Sequence, residues 1–337
     1  MPDKESNPLG VLLVNLGTPD APTTSAIRRY LTEFLLDSRV VNIPRIVWIP
    51  ILYGFILPFR PRSLVKKYLA IWGDDDSPIR EHSLNLAARV QAALVSQQVG
   101  RQIVVKSAMT YGNPSISNVL GELREKGVTD LLVIPMFPQY SASTTAALFD
   151  KLSRVMRKTR VLPSLRFVTG YHNEPTYIHA ITKSIEPFAS RITPDTKVIF
   201  SFHGLPQALI AMGDPYAAQC QVTANLVAGN LVLEPSQWEL TFQSRLGPAE
   251  WLKPYTIDAM SELPAQGIKH VILACPGFAV DCLETMEEIE ILNRQVFLDA
   301  GGETFTYVPA LNAEPPHVNV MRDLILDRMY RAEIGPG

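Results

Sequence analysis

The chain has 337 residues, of which 47% are hydrophobic and 19% charged, and carries a formal net charge of -2. That length divides into about two domains folded by burial, and the near-neutral charge excludes a nucleic-acid partner held through phosphate contacts. Three cysteines, Cys220, Cys275 and Cys282, are too few and too scattered for a disulfide framework or a four-thiolate metal site, and they fit a reducing, cytosolic compartment.

The start of the chain, to Pro8, is polar and lacks the apolar centre of a secretory signal. Residues 10–17 then read as a short buried strand, closed by Thr18-Pro19. Residues 26–34 have the spacing of an amphipathic helix. Residues 45–60 form an apolar patch broken by Pro50, Gly54 and Pro58 and flanked by Arg45, Arg60, Arg62, Lys66 and Lys67. The patch falls short of the roughly 18 uninterrupted apolar residues of a membrane span. Two readings stay open for it: a core hairpin or helix, or a lip that touches an anionic membrane surface or a large apolar ligand.

Further strands are predicted at residues 102–111, 130–137 and 165–171, and a second set at 197–202, 238–243, 270–275 and 304–308, with helical stretches between them. This pattern predicts an α/β fold of two similar doubly wound domains, each a four-stranded parallel sheet flanked by helices. The expected boundary puts residues 8–174 in the first domain and 175–331 in the second. The halves also resemble each other. Val11-Leu-Leu-Val-Asn-Leu-Gly-Thr-Pro19 matches Val198-Ile-Phe-Ser-Phe-His-Gly-Leu-Pro206 in pattern. On that alignment His203 replaces Leu16 and Glu284 replaces Thr144, so both reactive positions fall in the second half.

His203 lies between a predicted strand and the turn Gly204-Leu205-Pro206, where a sheet stops and a ligand can approach. If the segment after Pro276-Gly277 is helical, Asp281, Glu284 and Glu288 stand at i, i+3 and i+7 and share one face. Such a stripe of like charges needs a cation or retained protons. Asp281 and Glu284 also have the spacing of a capping box, which would need no chemistry. No Gly-x-Gly-x-x-Gly follows Leu13, and no P-loop and no Gly-x-Ser-x-Gly elbow is present, so dinucleotide, P-loop phosphate and hydrolase readings lose their usual signals. A histidine facing a carboxylate suits a divalent metal such as Fe²⁺ or Zn²⁺, and equally suits proton transfer near neutral pH. Tyr111, the run Gln243-Ser244-Arg245 and Trp251 suit a carboxylated aromatic ligand. Residues 138–145 read as a hydroxyl-rich helix start, either a plain N-cap or a set of anion donors.

Asn15-Leu-Gly-Thr-Pro19, Pro138-Gln-Tyr-Ser141, Ser201-Phe-His-Gly-Leu-Pro206, Thr241-Phe-Gln-Ser-Arg245 and Phe278-Ala-Val-Asp-Cys-Leu-Glu-Thr285 resemble, in this order, the motifs of the ferrochelatase family. The resemblance spans residues 10–317. It implies insertion of Fe²⁺ into protoporphyrin IX to give protohaem, the last step of haem synthesis, with the porphyrin in a cleft between the two domains. By matching position it implies His203 and Glu284 as the catalytic and metal-handling pair. Asp281 and Glu288 match further acids of a proton or metal path, on a helix distorted by a π-type turn. Leu16, Tyr111 and Trp251 match porphyrin-binding positions, and residues 45–60 match the apolar lip that in some members touches the inner membrane surface.

Some members carry a [2Fe-2S] cluster on C-terminal cysteines and one before the Ser-Thr-Thr run. Here that position is Ala142 and no cysteine follows Cys282, so no cluster is expected, no tightly bound cofactor is implied, and Fe²⁺ enters as substrate. The expected location is cytoplasmic, with peripheral contact at the membrane through the lip. Two alternatives remain at this stage: a porphyrin- or haem-binding protein without chemistry, and a chelatase for coproporphyrin or another metal.

Overall fold

The computed structural model describes residues 7–74, 76–97, 100–247 and 249–333, with no side-chain description beyond residue 329. Four apolar runs of the first half become parallel strands: β1 (Leu9–Thr18), β2 (Ile103–Gly112), β3 (Asp130–Pro135) and β4 (Ser164–Phe167). Their order is β2-β1-β3-β4. β1 is central, which is why Leu9, Val11, Leu12, Leu13 and Val14 are all buried and why its sequence is a continuous apolar run rather than an alternating one.

The second half repeats the plan with β5 (Thr196–His203), β6 (Trp238–Gln243), β7 (His270–Ala274) and β8 (Thr304–Val308), in the order β6-β5-β7-β8. All eight predicted strands are present, and both sheets are parallel. The likeness of the halves goes further than strand order. In each, the third strand of the half is followed by a stretch of π-helix, Ala142–Ala146 after β3 and Glu284–Asn293 after β7.

Local sequence explains several element ends. Thr23 caps the helix Thr24–Leu35 by accepting from the Ala26 N–H at 3.4 Å, and Ser115 caps Ile116–Glu125 by accepting from Asn118 at 3.3 Å. Near the end of β1, Gly17 has φ +116, and a Cβ there would collide with the backbone carbonyl of Tyr111 on β2. Only glycine fits.

Residues 45–71 resolve the open reading of the apolar patch. They form one helical run, α-helical at Arg45–Ile51 and Leu57–Ile71 and π-helical at Leu52–Ile56. Leu52 and Leu57 are buried, but Ile46 is 86% exposed, Phe55 70% and Phe59 67%. The patch is therefore a helix that projects apolar side chains outward, with Arg45, Arg62 and Lys66 exposed beside them. No helix among the described residues is long and apolar enough to cross a membrane.

The compact units of the structure do not meet at a single point in the sequence. One comprises residues 1–136, 142–170 and 313–337; the other comprises 137–141 and 171–312. Where the sequence places residues 313–331 with the second sheet, the C-terminal helix Pro315–Glu333 packs with the first. Arg89 donates to the carbonyl of Ala313 at 2.8 Å, and Arg166 of β4 donates to that of Arg328 at 3.1 Å. Both partners are carbonyls, which every residue has, so these long-range contacts leave no trace in the composition of the helix. Met321 and Ile325 are fully buried on its inner face. Truncating Ile325 to Ala is expected to lower stability by about 2–5 kcal/mol through the cavity it leaves. A reduced urea midpoint with unchanged far-ultraviolet dichroism is the signature to look for.

Candidate active site

The second sheet ends its strands at one edge, and the turns that follow them carry the reactive residues. His203 is the last residue of β5, and its register partner on β6 is Gln243. β7 lies on the other side of β5 and leads through Pro276-Gly277 to the π-segment that Glu284 opens. Loops at the carboxyl edge of a parallel sheet are where open α/β sheets bind ligands.

His203 is half-buried, and its Nδ1 lies 2.7 Å from the Gly204 carbonyl oxygen. A carbonyl oxygen only accepts, so Nδ1 carries a proton, and in the neutral ring Nε2 presents a lone pair. The ring is tilted at 52° to Phe278, with centroids 6.4 Å apart. Gly204 itself lies so close to its neighbours that a Cβ would sit 2.8 Å from the Gln243 carbonyl oxygen and 3.2 Å from the Trp251 ring. Trp251 is half-buried, and its indole N–H donates to Leu246 at 2.9 Å.

The π-segment is tied to the end of β6 by two consecutive residues. Gln243 is 3% exposed; its amide nitrogen donates to the Glu284 backbone carbonyl at 2.8 Å. Its amide oxygen accepts from the Ser201 hydroxyl at 2.8 Å and from the Cys275 thiol at 3.6 Å. Ser244 donates its N–H to one oxygen of Glu288 at 2.7 Å and its hydroxyl to the other. Glu288 is held above the ordinary glutamate pKa by burial. The Ser244 hydrogen bonds and the charge of His203 pull it back, and the charge of Glu284 pushes it up again. His203, Glu284 and Glu288 therefore feel one another's charge.

Asp281 departs from the expected stripe. It precedes the helical turns rather than lying on them, so Asp281, Glu284 and Glu288 do not share a helix face at i, i+3 and i+7. Its carboxylate, 6% exposed, accepts from the Tyr307 hydroxyl, from Thr285 Oγ1 at 2.8 Å and from the Asn312 amide at 2.7 Å. The Asp281 N–H in turn donates to the Asn312 side-chain oxygen at 2.8 Å. The capping box also gives way, because the π-segment has no side-chain cap.

Two further expectations change. Tyr111, expected against a ligand, is 1% exposed in the first unit, packs edge-on against Phe34 and donates its hydroxyl to Asp37 at 2.9 Å. Burial raises its pKa, with Asp37 adding to the effect. It is a core residue. Gln243 and Ser244, expected on a substrate, instead direct their polar groups at the π-segment. Leu16, half-buried near the end of β1 in the first unit, remains available to a ligand. Arg245 lies over the Tyr255 ring at 4.6 Å and 4.0 Å from Asp258. Among the described residues no group of three or more His, Cys, Asp or Glu is arranged to hold a metal ion. Cys282 sits beside Glu284, but burial pushes its thiol well up and the charge of Glu284 adds to this, so it stays protonated and is a poor ligand.

Tyr177 carries no signal of its own in the sequence. Tyr177 is fully buried and donates its hydroxyl to the Pro276 carbonyl, fixing the turn that launches the π-segment. The Pro276-Gly277 pair was the available signal that a backbone group there needed a partner.

Comparison with known proteins supplies the family. Residues 8–329 match the family model described as Ferrochelatase. The chain is 49% identical over 316 residues to a ferrochelatase of Methylococcus capsulatus, covering 94% of this chain and 95% of that one. It is 46% identical over 330 residues to a ferrochelatase of Marinobacter nauticus, covering 98% and 89%. A coproporphyrin III ferrochelatase of Streptococcus mutans is 44% identical over 321 residues, covering 95% and 98%. Among solved structures, SirB from Bacillus subtilis with Fe3+ aligns with a TM-score of 0.59 at 12% identity, covering 97% of this chain and 98% of that one. CbiX, the terminal enzyme for biosynthesis of siroheme in denitrifying bacteria, aligns with a TM-score of 0.53 at 16% identity, covering 94% and 98%. These two share the fold. The chain belongs to the ferrochelatase family, enzymes that insert iron into a porphyrin in the synthesis of haem.

Proposed function

We propose that the metal is Fe²⁺, that the porphyrin is protoporphyrin IX, and that His203 and Glu284 carry out the insertion. The observation behind this reading is the placement of a histidine with Nδ1 held by a carbonyl at the end of β5, and of a partly exposed carboxylate on the segment that follows the neighbouring strand β7. Insertion must remove two N–H protons from the macrocycle while the ion loses its water. His203 Nε2 can accept a pyrrole proton, since Nδ1 already holds its own against Gly204. Glu284 offers oxygen to a hard divalent ion or takes the second proton. Glu288, kept by burial in a state that holds a proton readily, stands next along the π-segment to receive it. Trp251, against Gly204 and next to His203, offers an indole face to a flat ring. Leu16 enters the proposal through its match to a porphyrin-binding position of the family.

The outward apolar residues of 45–71 support two further parts of the proposal. They favour protoporphyrin over the more carboxylated coproporphyrin, and they suit peripheral contact with an anionic membrane surface. The lack of a cysteine after Cys282 supports the reading that no [2Fe-2S] cluster is bound.

Anaerobic incubation with Fe²⁺ and protoporphyrin IX, followed by absorbance, tests the activity. Catalysis continues over many turnovers, whereas a non-catalytic binder stops once its site is filled. The same assay with coproporphyrin III should give the lower kcat/KM. His203→Ala is expected to reduce insertion by about 10²-fold or more while porphyrin binding, followed by fluorescence quenching, survives. Near-normal insertion by that variant would sink the mechanism. Replacing Phe55 and Phe59 together by Asp should abolish co-sedimentation with anionic phospholipid vesicles and leave insertion into detergent-solubilised porphyrin intact. Glu288 gives a pH prediction. Its folded pKa is raised, so its contribution to stability is complete below the ordinary glutamate value and is lost as pH rises through the raised one. Glu288→Gln should therefore flatten the decline of Tm with pH above the ordinary glutamate range.

A further inference from the structure

Ser244 has φ +67, in the left-handed region where a residue with a side chain is uncommon. Two donors of this one residue reach a single carboxylate. The Ser244 N–H reaches Glu288 Oε1 at 2.7 Å, and the Ser244 hydroxyl reaches Oε2. The preceding residue adds a third tie. Gln243 is anchored by Ser201 on β5 and donates to the Glu284 backbone carbonyl. β6 therefore ends in a two-residue clamp that fixes the π-segment at its first residue and again at Glu288. Because Gln243 is also the register partner of His203, the same clamp sets both acids relative to the histidine.

We propose that Ser244 is a positioning residue of metal insertion, whose N–H and hydroxyl together orient the Glu288 carboxylate toward the proton leaving the His203–Glu284 centre. The inference rests on the reading of His203 and Glu284 as the reacting pair. It differs from a substrate-binding role in where the effect appears. A residue that contacts the porphyrin raises its KM when removed, while one that orients a proton acceptor lowers kcat.

Glycine provides the test, because Ser244→Gly removes the hydroxyl and keeps the N–H. It also relieves the left-handed strain. A purely structural serine at φ +67 would be improved by the change. In the full-length chain, with Fe²⁺ and protoporphyrin IX under anaerobic conditions, Ser244→Gly is expected to lower kcat about tenfold, the effect of losing one charge-assisted hydrogen bond. KM for porphyrin should not change, and Tm should stay level or rise. In a Glu288→Gln background the same substitution should cause no further loss, since its effect passes through that carboxylate. A raised KM with kcat intact, an unchanged kcat, a lowered Tm, or an equal loss in the Glu288→Gln background would each overturn the inference. His203→Ala separates this from the reading beneath it. If that variant is inactive and Ser244→Gly behaves as wild type, only the positioning role fails; if His203→Ala is active, the site itself has been misread.

Discussion

Placing Glu288 in a partly dry interior is the constraint around which the rest of the second unit is arranged. A carboxylate out of water is costly unless it is hydrogen-bonded, and removing a partner leaves an uncompensated group. Here the compensation comes from the end of a neighbouring strand, in the N–H and hydroxyl of Ser244. Ser244 follows directly on β6, which stops at Gln243, and its backbone there is left-handed. The π-segment meets the same demand from its own side. Asn293, fully buried, donates to the Glu288 backbone carbonyl at 2.7 Å, five residues back along the segment. A stretch of π-helix is unusual in length at 10 residues. It occurs where two of its members, Glu284 and Glu288, must each be reached from β6.

The repeat within the chain shows that the backbone plan came without the chemistry. Both sheets have the same order, and in both a π-stretch follows the third strand of the half. In the first half that stretch is Ala142–Ala146, five residues of small and hydroxyl side chains, and the strand end aligned with His203 holds Leu16. Only the second half puts a histidine and two acids on these positions. The π-turn is thus a property of the fold, to which the proposed mechanism gives a use in one copy only.

Much of this was legible in the sequence, and the reasons differ by feature. Strands buried on both faces must be continuous apolar runs, so residues such as Val11 to Val14 and Val271 to Leu273 announced their strands directly. His203 was legible because Gly204 and Pro206 stop a strand immediately after it. Tyr111, an aromatic near a strand end, reads as a ligand contact, whereas Asp37, 74 residues away, satisfies its hydroxyl inside the core. The clamp role of Gln243 and Ser244 was invisible because a backbone φ has no residue code outside glycine. The C-terminal helix escaped for the same kind of reason, since its ties to Arg89 and Arg166 run to backbone carbonyls far from them in sequence.

Asp281, Glu284 and Glu288 resolve into three environments, and the differences between them order their proposed roles. Asp281 accepts from Tyr307, Thr285 and Asn312 and exchanges a reciprocal pair of bonds with Asn312, so its lone pairs are committed. A carboxylate so engaged is a poor station for a moving proton. It is a good anchor, because it ties the turn after Pro276 to Tyr307 on β8 and to Asn312 beyond it. Glu284 has its backbone held by Gln243 and its side chain partly exposed, which suits a group that meets substrate. Glu288 is between the two, oriented by Ser244 yet inclined by burial to take a proton. A stripe of like charges would have repelled itself along its whole length. With the lone pairs of Asp281 committed to its own network, the proposed mechanism leaves proton transfer to Glu284 and Glu288, one short step apart along the segment.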